Sequence, residues 1–267
     1  MPKVIYEKDD RIARITLNRP EAKNAIDPDT HELLWQTWED FESDDSLDVA
    51  ILTGTGDAFC AGADLKTFIP PLMNWTPADV RANVATGLGG LTRGLHRIYK
   101  PVIAAVNGWA LAGGLETALA CDIRIASERA QFGSFEARRG YHHGDGGIVR
   151  LVNTCGTGTA LEMLLTAEPI DAERALRANL VSRVVPHDRL LDEAELTANQ
   201  ILRNSQRAVR SAKETILDVV GRPLDEQLRI EALNGYSSPD PEETRALLER
   251  FYDKRDAGRA GMHETPL

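Results

Sequence analysis

The sequence predicts an α/β core over residues 1–187, followed by a helical C-terminal region over residues 188–267. Three observations carry this. Short apolar runs at 49–53, 101–106 and 123–126 have the length and composition of buried strands. Segments of helical periodicity separate them, which implies crossover connections. After about Asp188 the strand signals stop and only helical patterns continue.

In chain order, residues 4–7 and 11–17 flank the polar pair Asp9-Asp10 and read as a hairpin. Asp27-Pro28 reads as a helix N-cap followed by proline at the first helical position; Leu34, Trp38 and Phe41 supply the apolar stripe. The run 49–53, closed by glycine, is a buried strand. Residues 69–77 carry three prolines and read as a loop. From Thr76-Pro77 a long helix is expected, with Val80, Val84, Leu88, Leu91, Leu95 and Ile98 on one side. A strand at 101–106, a helix at 113–120 and a strand at 123–126 follow. The C-terminal region offers helices at 190–202, 208–220 and 242–251. Periodicity alone leaves open whether they cap their own core or pack against another subunit.

With 42% hydrophobic and 27% charged residues, the 267-residue chain has ordinary globular usage. Its net charge of −10 repels phosphate backbones and anionic membranes, so neither nucleic acid nor membrane is an expected partner. The three cysteines, Cys60, Cys121 and Cys155, lack metal-like spacing and suit a reducing compartment. The opening residues lack a signal-peptide pattern, so the expected location is cytoplasmic.

Two small-residue turns follow strands: AFCAGADL at 58–65 and NGWALAGGLE at 107–116. Small residues let backbone approach a ligand closely, and N–H groups at a helix start are unpaired and partly positive. Two such turns on adjacent strands can aim two donors at one oxygen, as an oxyanion hole requires. A dinucleotide site is disfavoured, because Phe59 stands where the third glycine of G-x-G-x-x-G belongs.

Several segments in register, over about residues 4–255, carry a family resemblance. They are NRPEAKNA (18–25), 58–66, KPVIAAVNG (100–108), GGLETALACDI (113–123), AQFG (130–133) and 171–185, with NLVSRVVP at 179–186. Together they resemble the crotonase superfamily, the enoyl-CoA hydratases and isomerases. The resemblance implies a crotonase-like spiral of ββα units with a helical C-terminal trimerisation region, trimers or hexamers, and acyl-CoA thioester substrates. It implies no cofactor beyond the CoA that the substrate carries.

By the same resemblance, the oxyanion-hole donors are the N–H groups of Ala63 and Gly113. Substrate-binding positions are Ala25, Ala61, Asp64, Leu65, Lys66 and Gly114, with Lys23 and a neighbouring chain's Lys254 near the CoA phosphates. Glu116 and Glu136 fall at the positions of the two catalytic glutamates of hydratases. Two carboxyl groups sharing one water can deprotonate it near C3 and deliver a proton at C2. Retention of both favours a hydratase over a non-catalytic acyl-CoA-binding or RNA-binding relative.

The pattern departs from hydratases around the second glutamate. Phe135 replaces the usual proline, and the run continues EARRGYHHGDGG over 136–147. Asp145, His142 and His143 are additional candidates: acid/base groups for another crotonase-type reaction, contacts to an unusual acyl group, or structural residues, with Asp145 capping a helix that starts near Gly146. No metal is expected, because adjacent histidines point apart. Cys60 reads as a buried small residue, and Met73 and Trp75 as candidates for the acyl pocket.

Overall fold

The computed structural model describes residues 1–92 and 98–260, without the side chains of 85–86 and 253–260. The chain forms two compact units, Met1–Leu202 and the part from Arg203 onward.

In the first unit a six-stranded sheet runs in the order β1 (Val4–Asp9), β2 (Ile12–Leu17), β3 (Val49–Gly54), β5 (Val102–Val106), β7 (Ile123–Ser127), β10 (Arg183–Val185). Only β1–β2, the expected hairpin, is antiparallel; Asp10 takes a left-handed φ of 51° in its turn. A second sheet orders β4 (Ala58–Cys60), β6 (Trp109–Leu111), β8 (Gln131–Gly133) and β9 (Ile170–Asp171). The chain gives one strand to each sheet in turn: β3 then β4, β5 then β6, β7 then β8. Helices α4 (Gly113–Ala120) and α5 (Gly147–Thr166) close the second and third of these pairs, so the ββα units wind as a spiral.

Strand β5 shows why the core lies where it does. All five of its residues are buried, and alternation sends them to opposite faces. Val102, Ala104 and Val106 join the main core with Phe59, Leu115 and Phe132. Ile103 and Ala105 meet Ile51, Ile125 and the buried Leu190, Ala194 and Ala198 of α7 (Leu190–Leu202) on the other face. Because α7 is bound into the sheet this way, it belongs to the first compact unit.

Helix α1 (Pro28–Ser43) starts as its sequence dictates. The Asp27 carboxylate accepts from the Thr30 N–H at 2.8 Å, and Leu34, Trp38 and Phe41 are buried. Within the predicted loop, α2 (Ile69–Leu72) makes a single turn. The helix expected through Ile98 is corrected: α3 (Pro77–Thr86) opens with a Thr76/Asp79 capping box but stops at Gly87. Gly87, Gly89 and Gly90 take φ values of 67°, 63° and 76°, which turn the chain out of the helix. Val80 and Val84 are therefore exposed, while Leu88, Leu91 and Ile98 pack against the core; Leu95 lies outside the described residues. Helix α6 (Ala172–Arg177) completes the first unit.

The second unit holds α8 (Gln206–Val219), α9 (Leu224–Ser237) and α10 (Pro241–Ala260). Helix α9 was not expected from the sequence. Its apolar residues Leu224, Leu228 and Leu233 are all exposed, and no residue of α8 or α9 is fully buried. No helix among the described residues is long and apolar enough to cross a membrane.

Candidate active site

The two glycine-rich turns meet. Strand β4 runs into the 61–64 turn, where Ile26 N–H donates to Gly62 O at 2.8 Å and Asp64 N–H to Ile26 O at 2.8 Å. That bridge takes the groups on either side of Ala63 and leaves the Ala63 N–H directed away from Ile26. Opposite, α4 begins at Gly113, whose N–H is the first of a helix and has no intrahelical partner. Among the described residues no hydrogen bond occupies either N–H.

The approach is close. A Cβ on Gly62 would stand 2.7 Å from Gly113 N, and one on Gly113 would stand 3.4 Å from Ala63 N. Gly62 also holds φ at 89°, so only glycine fits on both counts. The two turns wall one cavity of about 740 Å³, into which the positive end of α4 points.

Glu116 lies one turn into α4, 3% exposed. Its Oε1 accepts from the backbone N–H groups of Asp145 at 2.7 Å and Gly147 at 2.9 Å. Glu136, 4% exposed, opens a short 3₁₀ turn after β8. The Ser134 hydroxyl donates to its Oε2 at 3.3 Å. Between the two carboxylates stands the buried His143: Nδ1 is 2.8 Å from Glu136 Oε1 and 3.3 Å from Glu116 Oε1, while Nε2 is 2.8 Å from Ser134 Oγ. Burial pushes the imidazole pKa down, but the two carboxylates outweigh it and raise the value to about 9.

Of the other sequence candidates, Ala25, Ala61, Asp64, Leu65, Lys66 and Trp75 line the same cavity. Lys23 instead forms an exposed ion pair with Asp57. Gly114 packs away from the cavity, since a Cβ there would meet Cys60 O at 2.0 Å. Lys254 lies on α10 among the residues whose side chains are not described. Met73 is exposed. Cys60 is buried, which pushes its thiol up to about 12, and the thiol is inert.

Asp145 and the histidines divide sharply. The Asp145 carboxylate accepts from Leu88 N–H at 2.8 Å and Thr92 Oγ1 at 3.1 Å. It therefore ties the 88–92 turn to the site and does not cap α5, whose N-cap is Gly146. His142 is exposed, with Nδ1 2.6 Å from His143 O. The adjacent histidines part company, His142 toward solvent and His143 into the site. Glu116, Glu136 and His143 bring three ligand atoms within 4.8 Å of one another, a set that can hold an ion. Without an ion, a charged imidazole would offset one of the two carboxylate charges.

Sequence reasoning missed Ser134 and Arg19. Ser134 touches both His143 and Glu136 but sits in no motif that singles out a serine. Arg19 lines the cavity and pairs with Asp64 at 3.2 Å and Asp27 at 3.3 Å; its place in NRPEAKNA was the available signal.

The family model for enoyl-CoA hydratase/isomerase matches residues 7–259. The short-chain-enoyl-CoA hydratase of Clostridium acetobutylicum is 37% identical over 253 residues, 94% of this chain and 95% of that protein. The mevalonyl-coenzyme A hydratase of Aspergillus fumigatus is 43% identical over 207 residues, 76% of this chain and 73% of that protein. The crystal structure of an enoyl-CoA hydratase from Bacillus anthracis superposes with a TM-score of 0.83 at 32% identity, covering 95% of this chain and 97% of that one. The chain belongs to the enoyl-CoA hydratase/isomerase family and has the crotonase fold.

Proposed function

We propose that the protein adds water to a 2-enoyl-CoA, or removes it from the 3-hydroxyacyl-CoA, through a thioester enolate. The observation that carries this is the convergence of Glu116 and Glu136 on the cavity that the unoccupied N–H groups of Ala63 and Gly113 also face. With the thioester oxygen between those donors, addition at C3 moves charge onto an oxygen that is already solvated by fixed dipoles. Losing such a donor costs about 3–4 kcal/mol of transition-state stabilisation. The carboxylates take a proton from water as its oxygen bonds to C3, and return one to C2. The reaction is redox-neutral and draws on no cofactor besides the CoA of the substrate.

The pantetheine is assigned to the wall from Ala61 to Lys66, with Lys23 free to trade Asp57 for a CoA phosphate. The second reading, another crotonase-type reaction with Asp145 as acid or base, has less support because that carboxylate is engaged by Leu88 and Thr92.

The test is hydration of crotonyl-CoA, followed by the loss of enoyl-thioester absorbance. Glu116→Gln and Glu136→Gln should each lower kcat/KM about 10²–10⁴-fold, the usual worth of a positioned acid or base. Two folded variants with the unmutated rate would refute the assignment.

A further inference from the structure

We propose that His143 is a positioning residue of this reaction, an imidazolium that holds Glu116 and Glu136 ionised side by side in the dry end of the cavity. The proposal rests on the hydration reading above and deepens it.

Geometry assigns the protons. Nδ1 faces carboxylate oxygens at 2.8 and 3.3 Å, aligned as a hydrogen bond to neither, and the side chain is only 1% exposed. A bare lone pair there would repel both carboxylates, so Nδ1 carries a proton. Ser134 gives its hydroxyl hydrogen to Glu136 Oε2, so its oxygen accepts from His143 Nε2 at 2.8 Å. Both ring nitrogens then carry a proton, Nε2 as a hydrogen-bond donor and Nδ1 in ion-pair contact with the carboxylates, which is the charged form. Glycine at 147 makes room for the ring, since a Cβ there would stand 2.6 Å from His143 Nδ1.

The charges around the ring agree with this. Glu116 faces it from α4 and Glu136 from the 136–139 turn. Arg150 of α5 lies in the field of Glu116 and Asp145, and Tyr141 in that of Glu136, Arg139 and Glu116. Without the imidazolium, two carboxylates so close and so buried would share a proton, and one would be useless as a base. With it, both start ionised. As water adds, its O–H bond breaks, its oxygen bonds to C3, and the alkene electrons move onto the thioester oxygen. The released proton rests on a glutamate until C2 takes it as the enolate collapses, and the pair ends as it began.

Two measurements test this. In wild-type enzyme labelled with ¹⁵N-histidine, NMR at neutral pH should show one residue with both nitrogens in the imidazolium range, absent from His143→Gln. In crotonyl-CoA hydration, His143→Gln should lose about 10–100-fold in kcat/KM, with the acidic limb of its pH profile moved up by about one unit or more. A neutral His143 imidazole at pH 7, or a folded variant with an unmoved profile, would overturn the proposal. So would activity lost to a chelator and restored by Zn²⁺, which would put a metal where the proton is assigned. If the variant does not fold, the wild-type NMR decides. If the wild type hydrates no enoyl-CoA, the hydration reading fails by itself, whatever charge the NMR reports.

Discussion

Glu116 shows how one side chain is made useful by groups far from it in sequence. Its carboxylate is buried yet receives two backbone N–H groups at the start of α5, so its charged form is solvated by the fold. Asp145 supplies one of those N–H groups while its own carboxylate anchors Leu88 and Thr92. Asp145→Ala should therefore act through structure. We expect a fall in Tm of several degrees, from about 1–3 kcal/mol of lost hydrogen bonding, with part of the hydration activity retained. Thermal melts beside crotonyl-CoA assays would show this, and an abolished rate at unchanged Tm would make Asp145 catalytic instead. His143 gives the pH prediction. Its folded pKa of about 9 lies above the ordinary value of 6.5. Its contribution to stability is complete below about 6.5 and is lost as pH rises through about 9. Urea midpoints measured across that range should fall for the wild type and stay flatter for His143→Gln.

At the level of elements, the site depends on two backbones that can approach only because both carry glycine. Gly62→Ala forces a side chain into a left-handed conformation and toward Gly113 N, so the gap between the donors must widen. Strain of about 1–2 kcal/mol and a loss of about 10²–10³-fold in kcat are expected, read by melting and by steady-state kinetics. Unchanged kcat would mean that these N–H groups do not hold the thioester oxygen. The long strands and the capped α1 were legible in the sequence because buried runs and N-caps are local signals. Strands β4, β6, β8 and β9 were not, since two or three residues carry no periodicity. Helix α3 was read too long because Val80, Val84, Leu88 and Leu91 keep helical spacing across Gly87, Gly89 and Gly90, whose positive φ outweighs it. The candidate site was legible as backbone and carboxylates, through resemblance. Its third charged group was visible only as a departure, because only folding sets His143 rather than His142 between the glutamates.

For the whole molecule, the second unit is the part its own packing leaves least explained. Helices α8 to α10 expose Ile216, Leu228, Leu233, Leu248 and Phe251. From the resemblance in sequence we expect a trimer, or a pair of trimers, in which subunit contacts cover these side chains. Light scattering after gel filtration should give three or six times the 29.4 kDa chain mass, and a stable monomer would contradict it. Water addition through a thioester enolate is the reaction on which every residue role above depends. Its most direct test is the mass of products from short, branched, aromatic and carboxylated enoyl-CoA thioesters after incubation with the enzyme. At least one of them should gain a single water with its CoA thioester intact. Release of free CoA, or a shifted double bond without water, would contradict it.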